Sequence, residues 1–184
     1  TEYLFHLSMR PAMEIDKTRD NNKHRERLRE RFENGGLSSL SDHEIVELLL
    51  LFQPIFNDTS KLIIGQNLKY DISILKNYGI TVKARQFDTM IAHYLLEPEQ
   101  KHNLDSLALK YLDYKMIPIE SLIGPKGKNQ KNMKDIDVNL VADYSCEDAD
   151  ITLRLKHVLE LELKKTGLTD LFYDIEMPLV NVLI

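Results

Sequence analysis

The chain has 184 residues, with 24 Lys and Arg against 29 Asp and Glu, a formal charge of -5 and 43% apolar residues. That content supplies a real core and excludes disorder, while seven Gly and six Pro exclude collagen-like and low-complexity chains. A single cysteine, Cys146, excludes a disulfide framework and a CxxC zinc site and fits a reducing compartment; the longest apolar run, Leu48 to Phe52, falls far short of the ~18 residues of a membrane span. No basic stretch followed by an apolar one opens the chain, so no signal peptide is expected. Thr1 at the start and the apolar run Leu179 to Ile184 at the end read as cuts from something longer.

Residues 1–21 lack a clear period and read as a loose leader. Residues 23–33 alternate base and acid, with Leu28 and Phe32 four apart, which predicts a short amphipathic helix stopped by Gly35-Gly36. Ser41 and Glu44 have capping-box spacing and open a strongly apolar helix, Ile45 to Phe56, which Pro54 bends or ends. Lys61 to Gly65 is a buried strand and Asn67 to Tyr78 a helix stopped by Gly79. An extended piece ends at Phe87, and Asp88 caps a helix reaching about Leu96. Helices follow at Asn103 to Leu112 and Pro118 to Ile123. The longest, Leu140 to Lys165, ends at Gly167, and a last one runs from Leu168 to Ile184. The pattern is helix-rich, with one or two short strands.

Charge is unevenly spread. Residues 135–184 carry 11 acids and 4 bases, whereas residues 1–134 are nearly balanced. Such a chain does not seek DNA by bulk charge, so contact with nucleic acid must be local or metal-mediated. The local candidate is Gly124 to Lys134, with four Lys and no acid; a solvated lysine loop explains the composition equally well.

Within the longest helix, Val141, Tyr144, Asp148, Ile151, Leu155 and Val158 step by three and four and share one stripe about 100° wide. That stripe should face the core, where a carboxylate needs a partner or a cation. Tyr144 lies one turn before Asp148, so hydroxyl and carboxylate can address one small space. A buried Asp–Tyr or Asp–backbone hydrogen bond accounts for the spacing too. Asp150 can pair with Arg154 on the solvated side. Asp71 stands in the first turn of the helix after a buried strand, where α/β sheets build sites and where the helix dipole favours acids in any case.

The segments IGQNLKYD at 64–71, NYGI at 77–80, FDTMIAHYLL at 87–96, KGKNQ at 126–130 and YSCEDADITL at 144–153 resemble the 3′–5′ proofreading exonuclease domain of bacterial DNA polymerase I, of the ribonuclease-H-like exonucleases. The motifs keep family order over about residues 53–184, and IEMPLV at 175–180 is similar to the passage into the polymerase part. The resemblance implies four carboxylates holding two Mg²⁺ or Mn²⁺ ions that clamp a DNA 3′ end and activate water. It makes Asp71 and Asp148 metal-binding and catalytic acids and Tyr144 the catalytic tyrosine that orients the water. Gln66, Asn67 and Tyr70 become residues beside the terminal nucleotide. Lys101 falls where the family carries Arg, which keeps the charge but loses the bidentate fork. Single-stranded DNA, a polymerase domain in the parent chain and a bacterial cytoplasmic location are implied with it.

The family's Asp-x-Glu motif is the main departure. Upstream of residue 53 the only such spacing is Asp42-His43-Glu44, inside the capping box and behind no strand. The fold that the resemblance implies is therefore α/β and helix-rich, a truncated ribonuclease-H-like one with two short parallel strands near 61–65 and 83–87 and its first strands missing, and with an open sheet edge that invites self-association or covering by the leader. Residues 22–52 resemble the N-terminal helical segment of RadC-type proteins, without the His-x-His of that family's metal site; the six His stand at 6, 24, 43, 93, 102 and 157. The chain thus divides into a helical leader, 1–52, and a partial exonuclease domain, 53–184. A non-catalytic nucleic-acid or protein interaction module and a RadC-like repair accessory are the alternatives to an exonuclease with an impaired site.

Overall fold

The structure, a computed structural model, describes residues 27, 30, 52–128 and 130–184. The helix expected at 23–33, the capping-box helix up to residue 51, Asp42-His43-Glu44 and the RadC-like leader lie outside them.

Helix α1, Gln53–Asn57, has Pro54 in its first turn, where the missing N–H costs nothing. Strands β1, Leu62–Gly65, and β2, Arg85–Asp88, pair in parallel with Ile63 opposite Gln86 and Gly65 opposite Asp88. This is the expected pair of short parallel strands. Between them runs α2, Leu68–Asn77. It ends in a Schellman motif: Gly79 at φ 74 lets the Ile80 N–H reach the Leu75 carbonyl at 3.0 Å and its own N–H reach Lys76 at 3.0 Å. The chain then returns past α1, whose Phe56 carbonyl accepts the N–H groups of Lys83 and Ala84 at 2.7 and 2.8 Å.

Helices α3, Thr89–Leu96, α4, Leu104–Leu112, and the short α5, Glu120–Ile123, follow. A 3-10 turn at Met133–Asp135 leads into α6, Val138–Thr166. Helix α6 begins two residues before the expected Leu140, because Asp137 caps it through the Asn139 N–H at 2.9 Å. Gly167 ends it in a second Schellman motif, with Leu168 N–H on Leu163 O at 2.9 Å. The expected single helix from Leu168 is instead a π-helical stretch, Leu171–Glu176, followed by α7, Met177–Val182. The Met177 N–H bonds to Phe172 five residues back, and Pro178 behind it has no N–H to return the chain to α register.

Helix α6 packs on β1, α3 and α4 and forms the spine of the core. Its buried face is Asp148, Ile151, Thr152, Leu155, Leu159 and Leu163. Val141, Tyr144 and Val158, expected on that face, are only half-buried. Their stripe drifts, and contacts beyond residue 155 favour the i+4 row through Leu159 and Leu163. Phe87 of β2 and Phe172 meet at 4.8 Å between ring centroids, both fully buried. Each outer edge of the sheet is without a strand partner among the described residues.

Candidate active site

The site is organised where β1 ends and α2 begins. A Cβ on Gly65 would come within 2.3 Å of the Leu68 side chain, so glycine permits the close turn from strand to helix. Asn67 follows in the left-handed region, φ 62, where Asn is tolerated better than most residues. Its N–H donates to Asp88 Oδ1 at 3.1 Å, and Leu68 N–H donates to Asp88 Oδ2 at 2.7 Å. Asp88 also accepts from Met90 and Ile91 at the start of α3, at 2.9 and 3.4 Å. One carboxylate thus caps two helices. Burial pushes its pKa up while the four N–H groups pull it down. Its oxygens are consumed by backbone, which leaves it a capping residue as its sequence context suggests.

Gln66 is buried. Its Nε2 donates to the His102 carbonyl at 2.5 Å, and its Oε1 lies 2.5 Å from the Thr89 hydroxyl, which also approaches Gly65 O at 3.1 Å. The side chain therefore ties the β1–α2 turn to α3 and to the segment before α4. Lys101, exposed, is the neighbour of His102 in that segment. Asn67 lines a cavity of about 170 Å³ with Lys69, Asp88, Met90, Glu176 and Leu179; neither Asp71 nor Asp148 lines it.

Asp71 sits half-buried in the first turn of α2, next to Tyr70, also half-buried. Burial raises its carboxyl to about 6, and the charge of Asp88 adds to the rise. Asp148 is buried on α6, and burial raises it to about 6 as well, with Glu147 and Asp105 adding. Tyr144 lies one turn before it. Two acids on different elements are thus raised to about 6, one beside Asp88 and the other beside Glu147 and Asp105. Oxygen donors of this kind suit a hard cation, and a cation would favour their ionised forms. Among the described residues, however, no group of three or more His, Cys, Asp or Glu is arranged to hold a metal ion. The donor chemistry fits Mg²⁺ or Mn²⁺; the donors among the described residues are too few for a two-ion site.

Sequence reasoning missed three features. Asp88 reaches Asn67 across 21 residues, a link no local pattern reveals. Glu147 accepts from the Tyr114 hydroxyl at 2.8 Å and the Ile117 N–H at 2.9 Å, anchoring the chain after α4 to α6. His93 is fully buried and its Nδ1 lies 2.7 Å from His102 Nδ1. The Arg154–Asp150 pair is found as expected, at 3.6 Å on the exposed side.

The family model described as 3′–5′ exonuclease matches residues 13–164, beginning inside the segment read as a leader. DNA polymerase I of Borreliella burgdorferi is 43% identical over 133 residues, 72% of this chain and 14% of that protein. The DNA polymerase I of Pseudomonas aeruginosa is 40% identical over 140 residues, 74% of this chain and 15% of that protein, and that of Rhizobium leguminosarum 38% over 148 residues, 78% and 14%. The chain spans about one-seventh of the length of these curated relatives.

Proposed function

The chain belongs to the 3′–5′ exonuclease family that its residues 13–164 match, and from that premise we propose that it is the proofreading exonuclease domain of a DNA polymerase I type enzyme, with an incomplete metal site as the chain stands. The fold is a truncated ribonuclease-H-like one, helix-rich with two short parallel strands. The observation that carries the reading is a pair of desolvated carboxyls, Asp71 and Asp148, both raised to about 6, on elements that meet at β1. Helix α2 issues from β1, and α6 packs against it.

On this reading Asp71 and Asp148 would hold Mg²⁺ or Mn²⁺, which would supply polarisation of a phosphodiester and activation of water. The Tyr144 hydroxyl orients that water. Asn67 and Tyr70 face the terminal nucleotide, Gln66 sets the turn that carries them, and Lys101 supplies charge to the single strand. The polymerase domain of the parent chain is the covalent partner. The motif run quoted above lies within residues 64–180, which supports a partial domain at 53–184 behind a helical leader, RadC-like from residue 22. No helix among the described residues is long and apolar enough to cross a membrane, and a bacterial cytoplasmic location belongs to the same proposal.

Two carboxylates of a four-carboxylate set bind Mg²⁺ weakly, because that ion dehydrates reluctantly and needs near-octahedral oxygen donors. The purified chain should therefore degrade a 5′-labelled single-stranded oligonucleotide slowly or not at all in Mg²⁺ or Mn²⁺. Asp148→Ala and Tyr144→Phe are the companion variants. Rapid stepwise loss from the 3′ end, removed by both substitutions, would show the site to be complete and defeat the claim of impairment.

A further inference from the structure

We propose that the lysine loop between α5 and α6 binds the sugar–phosphate backbone of single-stranded DNA; the proposal deepens the nuclease reading and rests on it. The loop is closed at its neck, where the Lys131 N–H donates to the Ile123 carbonyl at 2.8 Å. Inside the neck, the Gln130 N–H donates to Gly127 O at 3.1 Å, and the Gln130 amide reaches Gly124 O at 3.4 Å. Gly124 at φ 82 and Gly127 at φ 154 make the reversals that close so short a loop. No atom lies within 4 Å of where a Cβ would stand on either glycine, so the backbone is open to approach there.

Lys126, Lys128 and Lys131 project from this loop, all exposed. None of the carboxylates described pairs with them, and no acid occurs between Glu120 and Asp135. Three like charges on one closed loop repel each other, and a polyanion relieves that repulsion while releasing its own counterions. The loop has no aromatic residue on which a base could stack. Its contacts are therefore with phosphates and carry no base preference.

Its place in the fold selects the occupant. The loop leads through the 3-10 turn into the start of α6, a helix of 29 residues. Tyr144 and Asp148 lie about 9 and 15 Å along that helix at 1.5 Å per residue. The positive loop thus stands at the end of α6 that bears the candidate catalytic groups. A strand whose 3′ end reaches those groups would run its upstream phosphates past the lysines.

The test is fluorescence anisotropy with a labelled oligothymidylate in EDTA, across a salt series, so that neither metal nor cleavage enters. The variants are the Lys126→Gln, Lys128→Gln, Lys131→Gln triple, the same triple to Arg, and Lys164→Gln at the far end of α6. Each phosphate contact contributes about 0.7 to the slope of log K against log salt for a single strand. The Gln triple should flatten the slope by about 2, while the Arg triple and Lys164→Gln keep the wild-type slope. Thermal melts should coincide, since the replaced side chains are exposed. A Gln triple with the wild-type slope overturns the loop assignment and leaves the nuclease reading standing. A wild-type chain that fails to bind the oligonucleotide at low salt likewise overturns the loop assignment, while the nuclease reading is decided separately by cleavage in Mg²⁺ or Mn²⁺.

Discussion

Asp88 carries more structure than any other single side chain described here. It accepts four backbone N–H groups from two helix starts, and each lost cap costs about 1 kcal/mol, with a further charge for N–H groups left buried. Asp88→Ala should destabilise the chain by about 3 kcal/mol in denaturant titration, and Asp88→Asn, which keeps one acceptor, by clearly less. Equal losses would mean that the carboxylate does not bridge the two helices. Asp148 works in the opposite direction. Its folded pKa of about 6 lies above the ~3.9 of an unfolded aspartate. The folded state therefore binds more protons between those values, and its stability falls as pH rises from about 4 through 6. Asp148→Asn should stabilise the chain against unfolding at pH 7.5, by about 1–2 kcal/mol after solvent screening, and not at pH 4.5. A variant less stable than wild type at pH 7.5 would refute a desolvated charge at that site. His93 has the reverse sign: burial, then the charge of His102, holds its ring below the ordinary histidine range. It should stay neutral where an unfolded histidine is protonated, so its share of stability is present above about pH 6.5 and declines as pH falls. A proton NMR titration should find the His93 ring protonating below the ordinary histidine range; a midpoint at or above about 6.5 would contradict the buried pair.

At the level of elements, the spine helix tests the difference between a sequence stripe and a packed face. Leu159 is fully buried and Val158 is half-buried, although the spacing of apolar residues points to Val158. Leu159→Ala should cost about 2–5 kcal/mol and Val158→Ala well under half of that, compared by chemical unfolding at one pH. The reverse order would mean that α6 is rotated by about one residue. The glycines closing α2 and α6 were legible beforehand, because a Gly after the last apolar position of a helix marks the left-handed cap in almost any context. The π-helical stretch before Pro178 was not. A missing N–H is visible in the sequence, but whether the chain kinks, stops or widens depends on what Phe172 and Met177 pack against.

For the whole molecule, the two-stranded sheet is the exposed point. Both outer edges lack strand partners among the described residues, and such edges pair with whatever strand is available. Sedimentation velocity should show association that grows with concentration; a single monomer boundary over a hundredfold range would rule it out.

Strands, helix order, the two glycine stops and the Asp88 cap were determined by the sequence itself, since each follows from local rules of backbone conformation and apolar period. Asp71, Tyr144 and Asp148 stood out by helix position and phase, and resemblance to the exonuclease family made them candidates for catalysis. Tertiary structure decided what those groups experience. Burial, with Asp88 near one acid and Asp105 and Glu147 near the other, raises both carboxyls to about 6, and these neighbours come from separate parts of the chain. It also decided that Gln66 spends its amide on His102 and Thr89, and that His93 meets His102. Desolvation and hydrogen-bond exchange depend on distance in space, and a sequence records only distance along the chain.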